Sequence, residues 1–110
     1  MELDNQILPH IIQLDNIIDD NPLVIATEDD FEKLNDKTWS SITVSEEFSY
    51  CPNTELILND YPHIQLIHFK EWSCDSLFSL TISNLPELKC ILFEDYSCIK
   101  VNSLILSSIF

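Results

Sequence analysis

Leu80-Thr81-Ile82-Ser83-Asn84-Leu85-Pro86-Glu87-Leu88-Lys89-Cys90-Ile91-Leu92-Phe93 holds two short runs of β-type alternation, Leu80-Thr81-Ile82 and Ile91-Leu92-Phe93, on either side of a turn-like Ser83-Asn84-Leu85-Pro86. The same phrase occurs 24 residues earlier without a gap: Leu56 matches Leu80, Leu58 matches Ile82, Pro62 matches Pro86, Ile67 matches Ile91 and Phe69 matches Phe93. It begins again at Leu104 and Leu106. When residues 56–86 are laid on residues 80–110, nine of the 31 pairs are identical, and many of the rest exchange one apolar residue for another. A fixed period of this length implies one supersecondary unit per repeat, each unable to bury its apolar side alone, so that neighbours must stack into a continuous core. Equivalent strands would then lie parallel, about 4.8 Å apart, with like side chains in ladders.

Working outward, Trp72-Ser73-Cys74 recurs as Tyr96-Ser97-Cys98, followed at the same distance by Leu77 and Val101. These positions are expected to be apolar ladder rungs, with Cys74 and Cys98 as reduced packing residues; stacking would also bring the two thiols close enough to be tested as a disulfide. The earlier stretch Ser41-Ile42-Thr43-Val44 reads as a degenerate first repeat, with Ile42 and Val44 matching Ile67 and Phe69 and one extra residue before Glu47. That insertion would bring Phe48 onto Trp72. The pattern Leu80-x-Ile82-x-x-Leu85-x-x-Leu88-x-x-Ile91-x-Phe93 resembles a leucine-rich repeat, and the aromatic-Ser-Cys element is similar to the repeats of BspA-type surface proteins. The resemblance covers residues 42–110. It implies a β-rich repeat solenoid of short parallel strands that acts as a non-catalytic protein-binding module.

Residues 1–41 are expected to form an α/β N-terminal cap on that solenoid, within one domain overall. Residues 7–14 echo Tyr61-Pro62-His63-Ile64-Gln65-Leu66, as a decayed repeat would, but are read preferentially as the start of a short amphipathic helix with Pro9 in its first turn and Ile11, Leu14 and Ile18 buried. The apolar run Pro22-Leu23-Val24-Ile25-Ala26 predicts a buried strand, and Thr27 followed by Glu28, Asp29 and Asp30 predicts a capped helix with Phe31 and Leu34 on one face. The chain has no glycine, so turns of positive φ should fall to asparagine, with Asn53, Asn59, Asn84 and Asn102 placed near the bends.

The charge is lopsided, with 19 acidic residues against five basic and a net charge of −14. Residues 1–55 carry 13 acids and two bases, whereas residues 56–110 carry six acids and three bases. A surface of that sign repels nucleic-acid phosphates and anionic membranes, and favours a basic protein partner. The acidic start Met1-Glu2-Leu3-Asp4 is unlike a secretory leader, and no apolar run reaches the length of a membrane span, so a cytoplasmic location is expected.

No catalytic, metal or cofactor site is expected. His10, His63 and His68 form no ligand-spaced pair, the four cysteines lack C-x-x-C spacing, and a phosphate loop needs glycine. Side chains between the ladder positions should face outward and meet a partner: Ile57, Thr81 and Ile105 in one set of strands, His68 and Leu92 in the other. Leu104, Leu106, Ile109 and Phe110 belong to ladders without a next rung, which predicts self-association into a homodimer through that edge. Two further resemblances imply other roles. The segment Leu8-Pro9-x-Ile11-Ile12 resembles the start of an F-box and implies a substrate adaptor of a ubiquitin ligase; the BspA-like element implies a fragment of a surface adhesin.

Overall fold

The computed structural model describes residues 18–46, 48 and 54–109, with side chains to Ser107. Among these residues seven short strands form two all-parallel sheets. Strands β1 (Pro22–Ile25), β2 (Ser41–Val44), β4 (Leu66–Phe69) and β6 (Cys90–Phe93) make a four-stranded sheet in that order, and β3 (Glu55–Asn59), β5 (Ser79–Leu85) and β7 (Ser103–Ile109) make a three-stranded one. Each 24-residue unit sends one strand to each sheet, and the register is the one the repeat predicts: Leu56, Leu80 and Leu104 are paired across the three-stranded sheet, and Ile67 with Ile91 and Phe69 with Phe93 across the four-stranded one. Even period-two alternation turns Leu56, Leu58, Leu80 and Ile82 from one side and Leu23, Ile25, Ile42, Val44, Ile67, Phe69 and Ile91 from the other into a single core. The Phe69 and Phe93 rings stack at 5.1 Å with planes 6° apart, as side chains on neighbouring parallel strands must.

Several local expectations change. β1 is a strand, but only half buried: Leu23 and Ile25 are inside while Pro22 and Val24 face outward. It pairs in parallel with β2, so the stretch assigned to the cap extends the same sheet. The helix after Thr27 is a 3₁₀ helix, Glu28–Asn35, whose three-residue turn puts Phe31 and Leu34 directly in line against the core. Its start is held by the Asp30 carboxylate, which accepts from the backbone N–H groups of Ala26 and Thr27 at 2.9 Å each and pairs with the Lys33 ammonium at 2.9 Å. Those bonds, that from Ala26 first, hold the Asp30 carboxyl well below the usual carboxylate range.

Ile18, expected on the buried face of a helix, is not helical and is 67% exposed; the helix expected ahead of it lies outside the described residues. Phe48 does not fall on Trp72. Its carbonyl accepts from the Cys74 N–H, as the Ser73 carbonyl accepts from the Cys98 N–H, so Phe48 holds the place of Ser73 and the extra residue of the first repeat lies after it.

The bends use positive φ as a Gly-free chain must, yet mostly without asparagine. Asn84 has φ 54° and the residue one repeat before it, Asp60, has φ 62°, but the others are Thr54, Trp72, Cys74, Tyr96 and Cys98. Asn59 lies in β3, Asn102 has negative φ, and Asn53 is outside the described residues. Trp72 and Tyr96 share φ near 62°, as do Cys74 and Cys98 near 51°, so the left-handed pair is part of the repeat itself. Thr54 at φ 54° is the β-branched member of this set, where steric cost is greatest. Thr54→Gly, which removes that steric cost, is expected to stabilise the fold by about 1 kcal/mol. A thermal melt should then rise by about 4 °C.

Candidate functional site

The outer face of the three-stranded sheet is laid out in rows by its register. Ile57, Thr81 and Ile105 form the central row, flanked on one side by Glu55, Ser79 and Ser103 and on the other by Asn59, Ser83 and Ser107. Ile57 is 50% and Ile105 52% exposed, with half-buried Thr81 between them. Glu55 is the one charged side chain in these three rows. On a chain with 24 charged residues in all, that is a patch of low charge with an apolar stripe through its middle.

His68 and Leu92 do not join it. They stand on the outer face of the four-stranded sheet, in the row Val24, Thr43, His68, Leu92, and both are half-buried. His68 is engaged locally, its Nε2 in contact with the Glu94 carboxylate one rung on. The five residues expected to meet a partner therefore divide between two sheets, and only Ile57, Thr81 and Ile105 form a continuous surface.

Of the residues assigned to the self-associating edge, Leu104 and Leu106 face inward and pack, half-buried, against the end of the core. Ile109 takes part in β7 through its backbone pairing with Leu85, and Phe110 is outside the described residues. Among the described residues no strand lies beyond β7 or β6.

The aromatic-Ser-Cys element is half inside and half out. Cys74, Cys98, Leu77 and Val101 are buried as expected, and the two cysteines are thiols. Trp72 and Tyr96, expected as packing neighbours of those cysteines, instead stack on each other at 4.4 Å with planes 12° apart, and are 40% and 57% exposed. The buried Cys74 and Cys98 share the positive φ of Trp72 and Tyr96, so the backbone conformation does not by itself decide which side chain faces out; the acidic Glu71 and Asp95 immediately before the aromatics are the signal that this part of the bend faces water. Ser73 and Ser97 are buried with hydroxyls that have no hydrogen-bond partner among the described residues.

A polar depression of about 400 Å³ lies at the N-terminal ends of the four-stranded sheet, lined by Asp20, Asn21, Thr38, His63, Gln65 and Glu87 among others. Its polar groups are largely committed to the fold. The Asn21 amide donates to the Thr38 carbonyl, and the Gln65 amide is paired with the Ile18 backbone. Among the described residues no three His, Cys, Asp or Glu side chains are grouped to hold a metal ion, and no helix is long and apolar enough to cross a membrane. His10 and the F-box-like segment lie outside the described residues. Searches of protein-family models, of curated proteins and of solved structures find no match to this chain.

Proposed function

We propose that this chain is a short leucine-rich-repeat-like solenoid that binds a protein partner through the outer face of its three-stranded sheet. The observation that carries the proposal is the row Ile57, Thr81, Ile105: branched side chains half open to water, in register over three strands, flanked by four serines, Asn59 and a single charged residue, Glu55. Flat rows of this kind can be desolvated at little cost, because few charges have to be stripped of water. The acidic surround, net −14 over the chain, suits a partner with an apolar contact and basic flanks, and would speed its encounter at low salt.

Affinity capture with crosslinking from native extract tests this when run on the wild type, on Ile57→Lys with Ile105→Lys, and on Val24→Lys as a control from the other sheet. A stoichiometric partner that crosslinks to this face is expected, lost at least about tenfold in the double variant and retained by the control. The same partner recovered equally by all three proteins, or no stoichiometric partner at all, would overturn the reading.

A further inference from the structure

The aromatic pair at the bends between the two sheets is held differently from Trp39 and Tyr61. Those two tie their polar tips to the 3₁₀ helix, the indole N–H donating to the Lys33 carbonyl at 2.8 Å and the phenol to the Leu34 carbonyl at 2.7 Å. Trp72 and Tyr96 have no such tie among the described residues. They stack on each other at 4.4 Å, stand outside the core cluster, and are 40% and 57% exposed.

The backbone beneath the rings is fixed. Trp72 and Tyr96 hold φ of 63° and 62°, and hydrogen bonds from the Trp72 N–H to the Asp95 carbonyl at 3.3 Å and from the Cys98 N–H to the Ser73 carbonyl at 2.9 Å join one bend to the next. A ring pair carried on such a backbone loses little conformational freedom when a ligand meets it.

The neighbouring charges select the ligand. Glu71 and Asp95 immediately precede the two rings at equivalent repeat positions, so two acidic residues stand one rung apart. Like charges at that spacing repel, and a cation between them relieves the repulsion. Lys70 and Lys100 belong to the same bends, yet among the described residues neither pairs with Glu71 or Asp95, and no cation lies over either ring. The other acid of the second bend, Glu94, is engaged by His68. Aromatic faces carry the negative lobe of the ring quadrupole, so rings and carboxylates attract the same kind of group.

We propose that the Trp72–Tyr96 stack, together with Glu71 and Asp95, is a docking ledge for an arginine side chain from a basic segment of a protein partner. A planar guanidinium stacks on an aromatic face while its N–H fork reaches a carboxylate, whereas a lysine ammonium is compact and strongly hydrated. Tyr96 is the more open ring, and Asp95 beside it is exposed where Glu71 is half-buried, so the second bend makes the stronger contact. The ledge deepens the function proposed above and rests on that reading for the partner being a protein, whose basic flank it seats. The bends run directly into β5 and β7, the strands that carry Thr81 and Ile105. The two readings fail separately, because the test below uses peptides without apolar side chains and leaves Ile57 and Ile105 intact.

Two glycine–serine peptides of equal charge, one carrying two arginines and the other two lysines, are titrated into the full chain and followed by NMR at the Trp72 indole N–H. The arginine peptide should move this resonance and bind about threefold tighter than the lysine peptide or better. Trp72→Ala with Tyr96→Ala, which leaves the charge unchanged, should weaken arginine binding about fivefold or more. Equal affinities for the two peptides, or binding unchanged in the double variant, would show attraction to the net charge of −14 alone and overturn the proposal. An indole resonance that responds to a neutral oligosaccharide and not to the arginine peptide would overturn it in favour of a sugar. Should the double variant fail to fold, Tyr96→Leu with Asp95→Asn decides in the same titration: loss of the preference for arginine supports the ledge, and its retention sinks it.

Discussion

Phe69→Ala is expected to lower the free energy of unfolding by about 4 kcal/mol, a large part of the whole stability of a domain this size. Phe69 has no exposed surface, is flanked in register by Val44 and Phe93, and stacks on the Phe93 ring at 5.1 Å. Truncation removes the transfer energy of the ring and leaves a cavity that cannot close, because the neighbouring strands are pinned by hydrogen bonds to each other on both sides. In urea the midpoint should fall by about 2 M. Phe93→Ala supplies the contrast: the same ring at the last rung of the ladder is only half-buried and should cost about half as much. Equal losses at the two positions would mean that something covers the β6 edge.

Tyr61 should be nearly as sensitive, for a different reason. It is 1% exposed, its hydroxyl donates to the Leu34 carbonyl at 2.7 Å, and the Lys37 ammonium lies 4.0 Å from its ring centre while donating to the Asn59 carbonyl. One side chain thus ties the 3₁₀ helix to the bend after β3. Tyr61→Ala is expected to cost about 4 kcal/mol, through loss of the ring together with these ties. Tyr61→Phe, which leaves the Leu34 carbonyl without its donor, should cost about 1 kcal/mol.

The pH dependence follows from the same burial, which pushes the Tyr61 hydroxyl up to about 12 from an ordinary 10. The folded state therefore holds this proton more tightly than the unfolded state. Its contribution is complete below pH 10 and is lost as pH rises from 10 through 12. Wild-type stability should fall across that window relative to Tyr61→Phe, measured by urea titration at each pH. Parallel curves for the two proteins would show that Tyr61 is not the group responsible.

The core was legible because a strict 24-residue period and period-two alternation constrain the same residues twice. Once Leu56, Leu80 and Leu104 share a ladder, the register of the whole three-stranded sheet follows, and with it the outward row Ile57, Thr81, Ile105. Where the repeat decays the constraint weakens, and there the expectations slipped. Phe48 lies one residue out of the expected register, and the run 22–26 gives no hint that one side of β1 faces outward.

Bends were harder still. Asparagine is the residue that best tolerates positive φ, but in a stacked chain the neighbouring rung dictates the backbone, and Trp72, Cys74, Tyr96 and Cys98 adopt the left-handed conformation despite their Cβ atoms. Within these bends the Trp72–Tyr96 pair lies open to solvent while Cys74 and Cys98 are buried, against the plain inference that large aromatic residues beside a buried cysteine are buried too.

By itself the sequence determined the repeat, the parallel ladders and the two sets of side chains that cannot enter the core, because period and alternation are local and one-dimensional. Only the tertiary structure decided that those two sets belong to different sheets, that Asp19 and Ile18 are fastened to Ser41 and Gln65, and that Ile57 and Ile105 stand half-exposed in one row. The physical reason is that alternation distinguishes inside from outside of a strand but carries no information about what lies on the outside. That depends on contacts between residues 22 to 47 positions apart in the chain, which no local pattern records.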